Sequence, residues 1–273
     1  MRIIRLRQIL LWVFMTSVAL VVSYYVLFPH LWHCQWIGYS DFKKVKPNLY
    51  ISPTTTSKHL QKATQSIAEA RKRIAELWGK PVGDATIILC ESTEQYHRYC
   101  NSDEGAGCSI GTPWGASFIV LNLDGLNTDV IAHEMCHDEL FTRLGWWKTT
   151  RQIPQWFNEG LALMVDYRFV ATSDSVQRYL DYKDECSYVS NGGQTVLSLH
   201  EISSLHGFFS GSEGHVMLAY MTSGMEVSRW LANTGGQNVP RLIDRIKSGE
   251  TFDSAYKDFD KRNTENIRTD KFI

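Results

Sequence analysis

The chain has 273 residues and a formal net charge of −1, with 44% hydrophobic and 21% charged residues. This composition is ordinary for a globular protein with a buried core, and the length allows one domain plus an anchor, or at most two small domains. Lysine and arginine are spread along the chain, whereas a nucleic-acid-binding surface needs a clustered basic face, so we set that class of function aside.

The N-terminus predicts a membrane anchor. Arg2, Arg5 and Arg7 precede residues 9–28, which carry no charged side chain. A helix rising about 1.5 Å per residue over this length spans the roughly 30 Å hydrocarbon core of a bilayer. Aromatic residues suited to the interfaces are Trp12, Tyr24, Tyr25, Trp32 and Trp36. Because the positive flank stays in the cytoplasm, we expect a single-pass cell-membrane protein with residues 1–8 inside and the bulk outside, periplasmic in a Gram-negative bacterium.

Two other interpretations of this segment are weaker. A cleaved signal peptide would have a shorter apolar stretch and a small-residue cleavage site, and residues 28–36 offer no convincing one. A buried core helix is rarely apolar all round over such a length. An uncleaved anchor over residues 9–28 is therefore preferred. An anchor and a cleaved signal both place the domain outside the cytoplasm.

The cysteines fit an oxidising compartment. They form an even set: Cys34, Cys90, Cys100, Cys108, Cys136 and Cys186. Such a compartment permits disulfides, although connectivity does not follow from sequence. Cys100 and Cys108 flank residues 101–107, which are rich in turn formers, and this pair is the one we expect to be bonded.

The remaining elements follow in chain order. Residues 29–56 resemble an irregular stem, and 57–78 predict a helix from apolar residues at three- and four-residue spacing. Ser92 and Gln95 form a capping box for a further helix. The other predicted elements are strands at 85–90 and 116–122 and helices at 93–99, 129–144, 154–168, 213–231, 239–247 and 252–260. Residues 171–198 give no clear pattern. The order indicates an α+β domain over residues 57–273, with most helices after the strands.

The predicted helix at 129–144 contains His133, Glu134 and His137 in the pattern HExxH. Positions i and i+4 lie one turn apart on the same helical face, so both imidazoles can bind one metal ion. Glu134 projects beside the pair, where its carboxylate can reach a metal-bound water without binding the metal itself. This arrangement is typical of zinc metallopeptidases.

The next predicted helix offers a third metal ligand. A catalytic zinc ion usually takes three protein ligands and leaves one position for water. Glu159 lies in the run Asn158–Ala162, on a helix whose short connection allows antiparallel packing. Gly160 beside it permits a close approach between helices.

In these two motifs the chain resembles the gluzincin metallopeptidases, in which a helix with N-E-G-x-A follows the HExxH helix. At lower specificity, residues 45–260 are similar to the small peptidase MA-like group. The resemblance implies a thermolysin-like fold, in which a small N-terminal mixed sheet with helices is followed by a helical half. Here one transmembrane helix would precede that fold.

The resemblance also implies a role for each matching residue. His133, His137 and Glu159 would hold Zn²⁺, and Glu134 would act as general base on the zinc-bound water. Tyr220 would donate a hydrogen bond to the oxyanion, with a packing role equally open and His215 as a weaker rival. The substrate would be a peptide or protein, and an endopeptidase is slightly favoured because no site for a terminal amine is recognisable.

Several assignments stay open at this level. Cys136 is expected to be a buried free thiol, because a fourth protein ligand would close the water site. Asp138 and Asp166 are candidates to hold a ligand histidine, and are equally plausible as solvated or capping carboxylates. Residues 116–122 are expected, by a small margin, to form an edge strand that pairs with an extended substrate.

Other functions also remain open. A membrane-tethered binding or scaffold protein with little turnover is one alternative, and it would be favoured by loss of the base or of a ligand. A zinc hydrolase acting on a non-peptide amide is the other. The sequence gives no basis for an oligomeric state.

Overall fold

The computed structural model describes residues 2–100 and 105–269, with side chains described for 7–100 and 105–260. The strands are β1 (Lys43–Lys46), β2 (Leu49–Ile51), β3 (Thr86–Leu89), β4 (Gly107–Gly111) and β5 (Ser117–Leu121). The helices are α1 (Arg2–Leu27), α2 (Pro29–Gln35), α3 (Ser57–Trp78), α4 (Thr93–Tyr99), α5 (Thr128–Leu144), α6 (Trp146–Gln152), α7 (Gln155–Leu163), α8 (Ser175–Val189), α9 (Leu205–Phe209), α10 (Glu213–Thr234), α11 (Asn238–Lys247) and α12 (Phe252–Thr269). The predicted α+β class, with a small mixed sheet, is confirmed.

The five strands of the described chain form one sheet in the order β1-β2-β3-β5-β4. The three central strands β2, β3 and β5 run parallel, whereas β1 and β4 are antiparallel edges. Parallel neighbouring strands need a crossover connection. Helix α3 connects β2 to β3, and α4 with β4 connects β3 to β5. The predicted strand at 116–122 is therefore β5, in the interior of the sheet. Its expected place at an edge is wrong, because β4 covers it.

Each face of the sheet contributes to a different core, because successive strand residues point to opposite faces. In β3, Ile87 and Leu89 face the main core, which contains residues of α3, α5, α7 and α10. Ile88 faces a second, smaller core that contains Cys34 of α2 and Tyr96 of α4. The helices α5 and α7, which carry the metal-ligand candidates, and the helix α2, which follows α1, therefore lie on opposite sides of the sheet.

Residues 29–56 differ from the irregular stem that the sequence suggested. They contain α2, a turn of 3-10 helix (Ile37–Tyr39) and the strands β1 and β2. Their apolar residues fall in short elements of three to seven residues, so no periodic pattern marked them. The buried ones, Cys34, Ile37 and Phe42, nonetheless complete the second core. The segment is part of the folded domain.

At the N-terminus, α1 includes Arg7–Leu27, which has a mean hydropathy of 2.1 and no buried residue. Among the described residues it is the one helix long and apolar enough to cross a membrane. A helix that packed into a soluble core would bury part of this surface. The length and composition of α1 therefore agree with the predicted membrane span.

Local signals located several helices well. The structure places α3 at the predicted 57–78 and α4 at the predicted 93–99. Ser92 Oγ accepts a hydrogen bond from the amide of Gln95 at 3.2 Å, and Gln95 Oε1 accepts one from the amide of Glu91 at 3.0 Å. The reciprocal cap explains why this short helix begins where the sequence indicated. The predicted bond between Cys100 and Cys108 is present; residues 101–104 between them lie outside the described part.

The helix predicted at 154–168 is shorter than expected. It ends at Leu163, because side chains elsewhere take the backbone groups that a longer helix would pair internally. Arg178 donates to the carbonyl of Met164, and Arg73 Nη1 donates to the carbonyl of Val165 at 3.0 Å. Because α7 ends at Leu163, the residues that follow do not continue along the helix. Arg178 belongs to α8, which lies in the region that gave no sequence pattern.

Candidate metal centre

Two histidines are presented by α5, whose ends are set locally. Asn127 Oδ1 accepts a hydrogen bond from the amide of Val130 at 2.9 Å, and the helix stops at Gly145, which has a φ of 77°. An asparagine cap and a glycine at positive φ are common ends of a helix. His133 and His137, one turn apart, are 6% and 8% exposed, with ring centroids 4.9 Å apart.

Glu159 reaches the same point from α7. This helix packs closely on α10 through Gly160, where an added Cβ would lie 2.5 Å from the backbone oxygen of Ser223. Only glycine permits that approach, as the sequence suggested. Gln155 Nε2 donates to Glu159 Oε1 at 2.6 Å, so the other carboxylate oxygen is left to face the histidines.

Three donor atoms converge in this position. Glu159 Oε2 lies 3.2 Å from His133 Nε2 and 3.6 Å from His137 Nε2. Bonds of about 2.0–2.2 Å to a tetrahedral ion would separate neighbouring ligand atoms by roughly 3.4 Å. The spacing therefore fits one metal ion with three protein ligands and one open position. All three side chains are buried, and together they could hold such an ion.

The far side of each imidazole faces a polar side chain. His137 Nδ1 lies 2.9 Å from Asn158 Oδ1, and His133 Nδ1 lies 3.3 Å from Asp166 Oδ2. Asp166 is fully buried and is held by Arg168, whose Nε lies 3.0 Å from each carboxylate oxygen. Contacts of this kind fix which ring nitrogen faces a metal ion. Both Nε2 atoms are consequently directed at Glu159.

Of the two carboxylates left open by the sequence, Asp166 is the one near a ligand histidine. Asp138 instead accepts hydrogen bonds from the amide of Ala85 at 2.9 Å and from Ser117 Oγ at 2.6 Å. It therefore ties α5 to the sheet. Cys136 is a fully buried free thiol in the main core, and burial raises the pKa of this thiol.

We expect Asp166→Asn to weaken binding of a divalent metal ion, with Zn²⁺ as the probe, by about 10–100-fold, because loss of the charge behind His133 lowers the basicity of its imidazole. The measurement is competition of the full-length protein with a zinc chelator. Asp138→Asn is the matched control, because Asp138 is also a buried carboxylate but accepts its hydrogen bonds from Ala85 and Ser117. It should lower the unfolding temperature while the folded protein keeps its zinc affinity. Equal zinc affinities in both variants and the wild type would contradict a role for Asp166.

Burial and nearby charge act in opposite directions on these groups. Burial alone would lower the pKa of His133, but the surrounding carboxylates, first among them Asp166, raise it to about 10. Burial raises the pKa of Glu134, against the opposing effect of His133 and His137. For Glu159 the two histidines outweigh burial, so its pKa is lowered. A metal ion that binds His133 must displace this proton, so higher pH favours its binding.

The donor atoms open into a cleft of about 1280 Å³ between the sheet edge and the helices. Residues 105–111, which include β4, form part of its lining. At Gly107 an added Cβ would lie 3.1 Å from Glu134 Cγ, so the strand approaches α5 closely only because this residue lacks a side chain. The lining also includes Trp146, Arg168 and Tyr220.

Of the other predicted site residues, some line this cleft and one does not. Glu134 lines it and is 8% exposed. Tyr220 lines it as well, with its ring centroid 6.5 Å from that of His133. His215 does not belong to the described lining; its Nε2 donates to the carbonyl of Gly207 at 2.8 Å. Proximity therefore favours Tyr220 over its rival.

Some features of the site were missed in the sequence. The edge strand beside the cleft is β4, whose five residues include two glycines and carry no strong apolar alternation. Arg168 was also missed, although it lines the cleft and has a 41% exposed side chain. Arg168 follows Asp166 by two residues, and the two side chains pair because both lie beyond the end of α7. The sequence predicted a helix through residue 168, so it did not indicate this pair.

No protein-family model, no curated protein and no solved structure matches the chain.

Proposed function

We propose that the chain is a membrane-anchored, extracytoplasmic zinc-dependent peptidase of the gluzincin type, with a thermolysin-like catalytic domain. The observation that carries the proposal is the convergence of His133, His137 and Glu159 at tetrahedral spacing, with Glu134 lining the same open cleft. Two imidazoles and one carboxylate are a common ligand set for catalytic zinc. The mixed sheet followed by helices is compatible with the proposed fold.

A bound zinc ion would polarise the substrate carbonyl and lower the pKa of a coordinated water to about 7. Glu134 takes a proton from the attacking water and delivers it to the leaving amine. Its position on α5, between the ligand histidines in sequence and beside the cleft, serves both transfers without movement of the helix.

The edge strand β4 suits an extended peptide. It forms the outer side of the sheet, pairs with β5 on one side only, and lines the cleft next to Glu134. A substrate strand added there would gain backbone hydrogen bonds while its peptide bonds pass the donor atoms. This geometry favours a peptide over a small amide as substrate.

The proposal is tested by incubating the full-length protein, in lipid nanodiscs, with a peptide library. Hydrolysis should be detectable, should stop when a chelator removes the metal, and should return on addition of zinc. A protein that binds zinc stoichiometrically but cleaves no peptide would favour the tethered binding protein instead. Cleavage that a chelator does not affect would exclude the metal from the reaction.

Tyr220→Phe is expected to lower kcat by roughly 10²–10³-fold, with KM little changed, because a phenol donor stabilises only the developing oxyanion. Phenylalanine fills nearly the same volume and keeps the contacts with Phe208 and His133, so fold and zinc content should be retained. Steady-state kinetics on one cleaved peptide measures the effect. His215→Ala is the comparison, and it should leave kcat unchanged. If Tyr220→Phe leaves kcat unchanged and His215→Ala lowers it strongly, His215 is the hydrogen-bond donor to the oxyanion instead.

The orientation in the membrane is proposed from the arginines before α1. A reporter that works only outside the cytoplasm, fused after residue 273, should be active. Activity of a cytoplasm-dependent reporter at the same point would overturn the orientation and the compartment together.

A further inference from the structure

The turn after the cleft strand touches the end of the membrane helix. Trp114, in the connection between β4 and β5, is 58% exposed, and its ring centroid lies 5.9 Å from that of Tyr24. Tyr24 belongs to the last turn of the apolar segment Arg7–Leu27. The turn therefore lies at the height where α1 leaves the hydrocarbon core.

Further aromatic side chains lie at the same level. Ring centroids are 6.2 Å apart for Tyr24 and Trp32, 5.7 Å for Tyr25 and Trp32, and 5.6 Å for Trp32 and Trp36. We call this set, with Trp114, the interfacial collar. Tryptophan and tyrosine are enriched at the boundary between hydrocarbon and water, because one part of each ring is apolar and another donates a hydrogen bond.

The collar is joined to the domain without a flexible linker. The amide of Phe28 donates to the carbonyl of Tyr24 at 2.9 Å, so the backbone continues almost directly from α1 into α2. Tyr24 Oη donates to Gln35 Oε1 at 3.2 Å, and the thiol of Cys34 donates to the carbonyl of Tyr99 in α4 at 3.3 Å. The height of the domain above the bilayer is therefore fixed by packing.

Chain length bounds the distance from the collar to the cleft. Gly111 lines the cleft three residues before Trp114, and an extended chain reaches at most about 3.6 Å per residue, so the two lie within about 11 Å. Gly107, which lies against Glu134, is seven residues from Trp114 and thus within about 25 Å. One end of the cleft opens near the lipid headgroups, and the reacting groups lie not far above them.

From this geometry we infer that Trp114 seats the end of the cleft at the bilayer surface, and that the substrates are polypeptides anchored in the same bilayer. They are cut in the stretch next to their own anchor, within about seven extended residues of the membrane. This inference rests on the proposed peptidase function and adds its substrate class. A soluble polypeptide would reach the same cleft only by approaching the membrane surface.

The test uses a reporter peptide that the full-length protein cleaves in solution. The same peptide is attached to a lipid in proteoliposomes through Gly/Ser spacers of about 7 and 30 residues, in one series by its N-terminus and in another by its C-terminus. A longer flexible spacer spreads the reporter over a greater height, since its mean span grows as the square root of length. We expect at least about twofold faster cleavage with the short spacer in one of the two series.

A rate that is flat or rises with spacer length in both series overturns the inference, while cleavage in solution keeps the proposed function. If no soluble peptide is cleaved, the proposed function itself fails. Trp114→Ala should reduce the preference for the short spacer and leave cleavage in solution unchanged, because Trp114 does not line the cleft. Tyr188→Ala, at a site 82% exposed, is the matched control. If Trp114→Ala and Tyr188→Ala show the same preference for the short spacer, the proposed role of Trp114 is wrong.

Discussion

Replacing Glu134 with glutamine is expected to reduce peptide hydrolysis by about 10²–10⁴-fold while bound zinc remains in place. Glutamine keeps the size of the side chain, which matters because Glu134 Cγ lies against Gly107 of the cleft strand. It cannot accept the proton of the attacking water. Zinc content should not change, since the converging donor atoms belong to the histidines and Glu159.

Glu139→Gln is the control for this substitution. Glu139 is on the same helix and is 1% exposed, but its carboxylate accepts hydrogen bonds from the amides of Val82 and Gly83 outside the cleft. Its replacement should lower stability and leave the turnover of the folded enzyme unchanged. Undiminished hydrolysis by Glu134→Gln would show that another group is the base.

His133→Ala and Glu159→Ala are each expected to take the protein from about one zinc ion per chain to nearly none, with hydrolysis lost as well. Two ligands retain a metal ion far less well than three in a fixed arrangement. The measurement is elemental analysis of full-length protein after dialysis. His59→Ala is the control, because it also removes a histidine next to a carboxylate, 2.9 Å from Glu91, away from the centre.

These variants also leave charged groups buried. Without His133, Asp166 loses a neighbour 3.3 Å away, although Arg168 still pairs with it. Some loss of stability is therefore expected, and the zinc content should be measured on folded protein selected by size. Full zinc retention in both ligand variants would contradict the proposed centre.

The parts of the fold that could be predicted are those specified by neighbouring residues. The spacing of His133 and His137 fixes their common face, and Ser92 with Gln95 fixes the start of α4. Such signals act within one or two turns of chain. The two histidines could thus be paired from their spacing, whereas Glu159 was named through the resemblance of its motif to that of the gluzincins. The distances between the three side chains could not be predicted.

The parts that could not be predicted depend on distant partners. The end of α7 at Leu163 requires Arg178, which lies in a helix that showed no apolar periodicity and buries Arg178 and Tyr182. The identity of the edge strand depends on whether β4 forms at all, and its glycines make it a poor strand in isolation. Both errors concern the surroundings of the ligands, where contacts between distant segments decide the structure.

The packing of α2 into the sheet also has a consequence for how the protein can be released from cells. Cys34 and Ile37 are 0% and 4% exposed in the second core. A sheddase that cut just beyond them would remove part of this core and leave a destabilised ectodomain. If α1 spans a membrane as proposed, a secreted form would therefore be unstable, and the proposed activity would be confined to the membrane that holds α1.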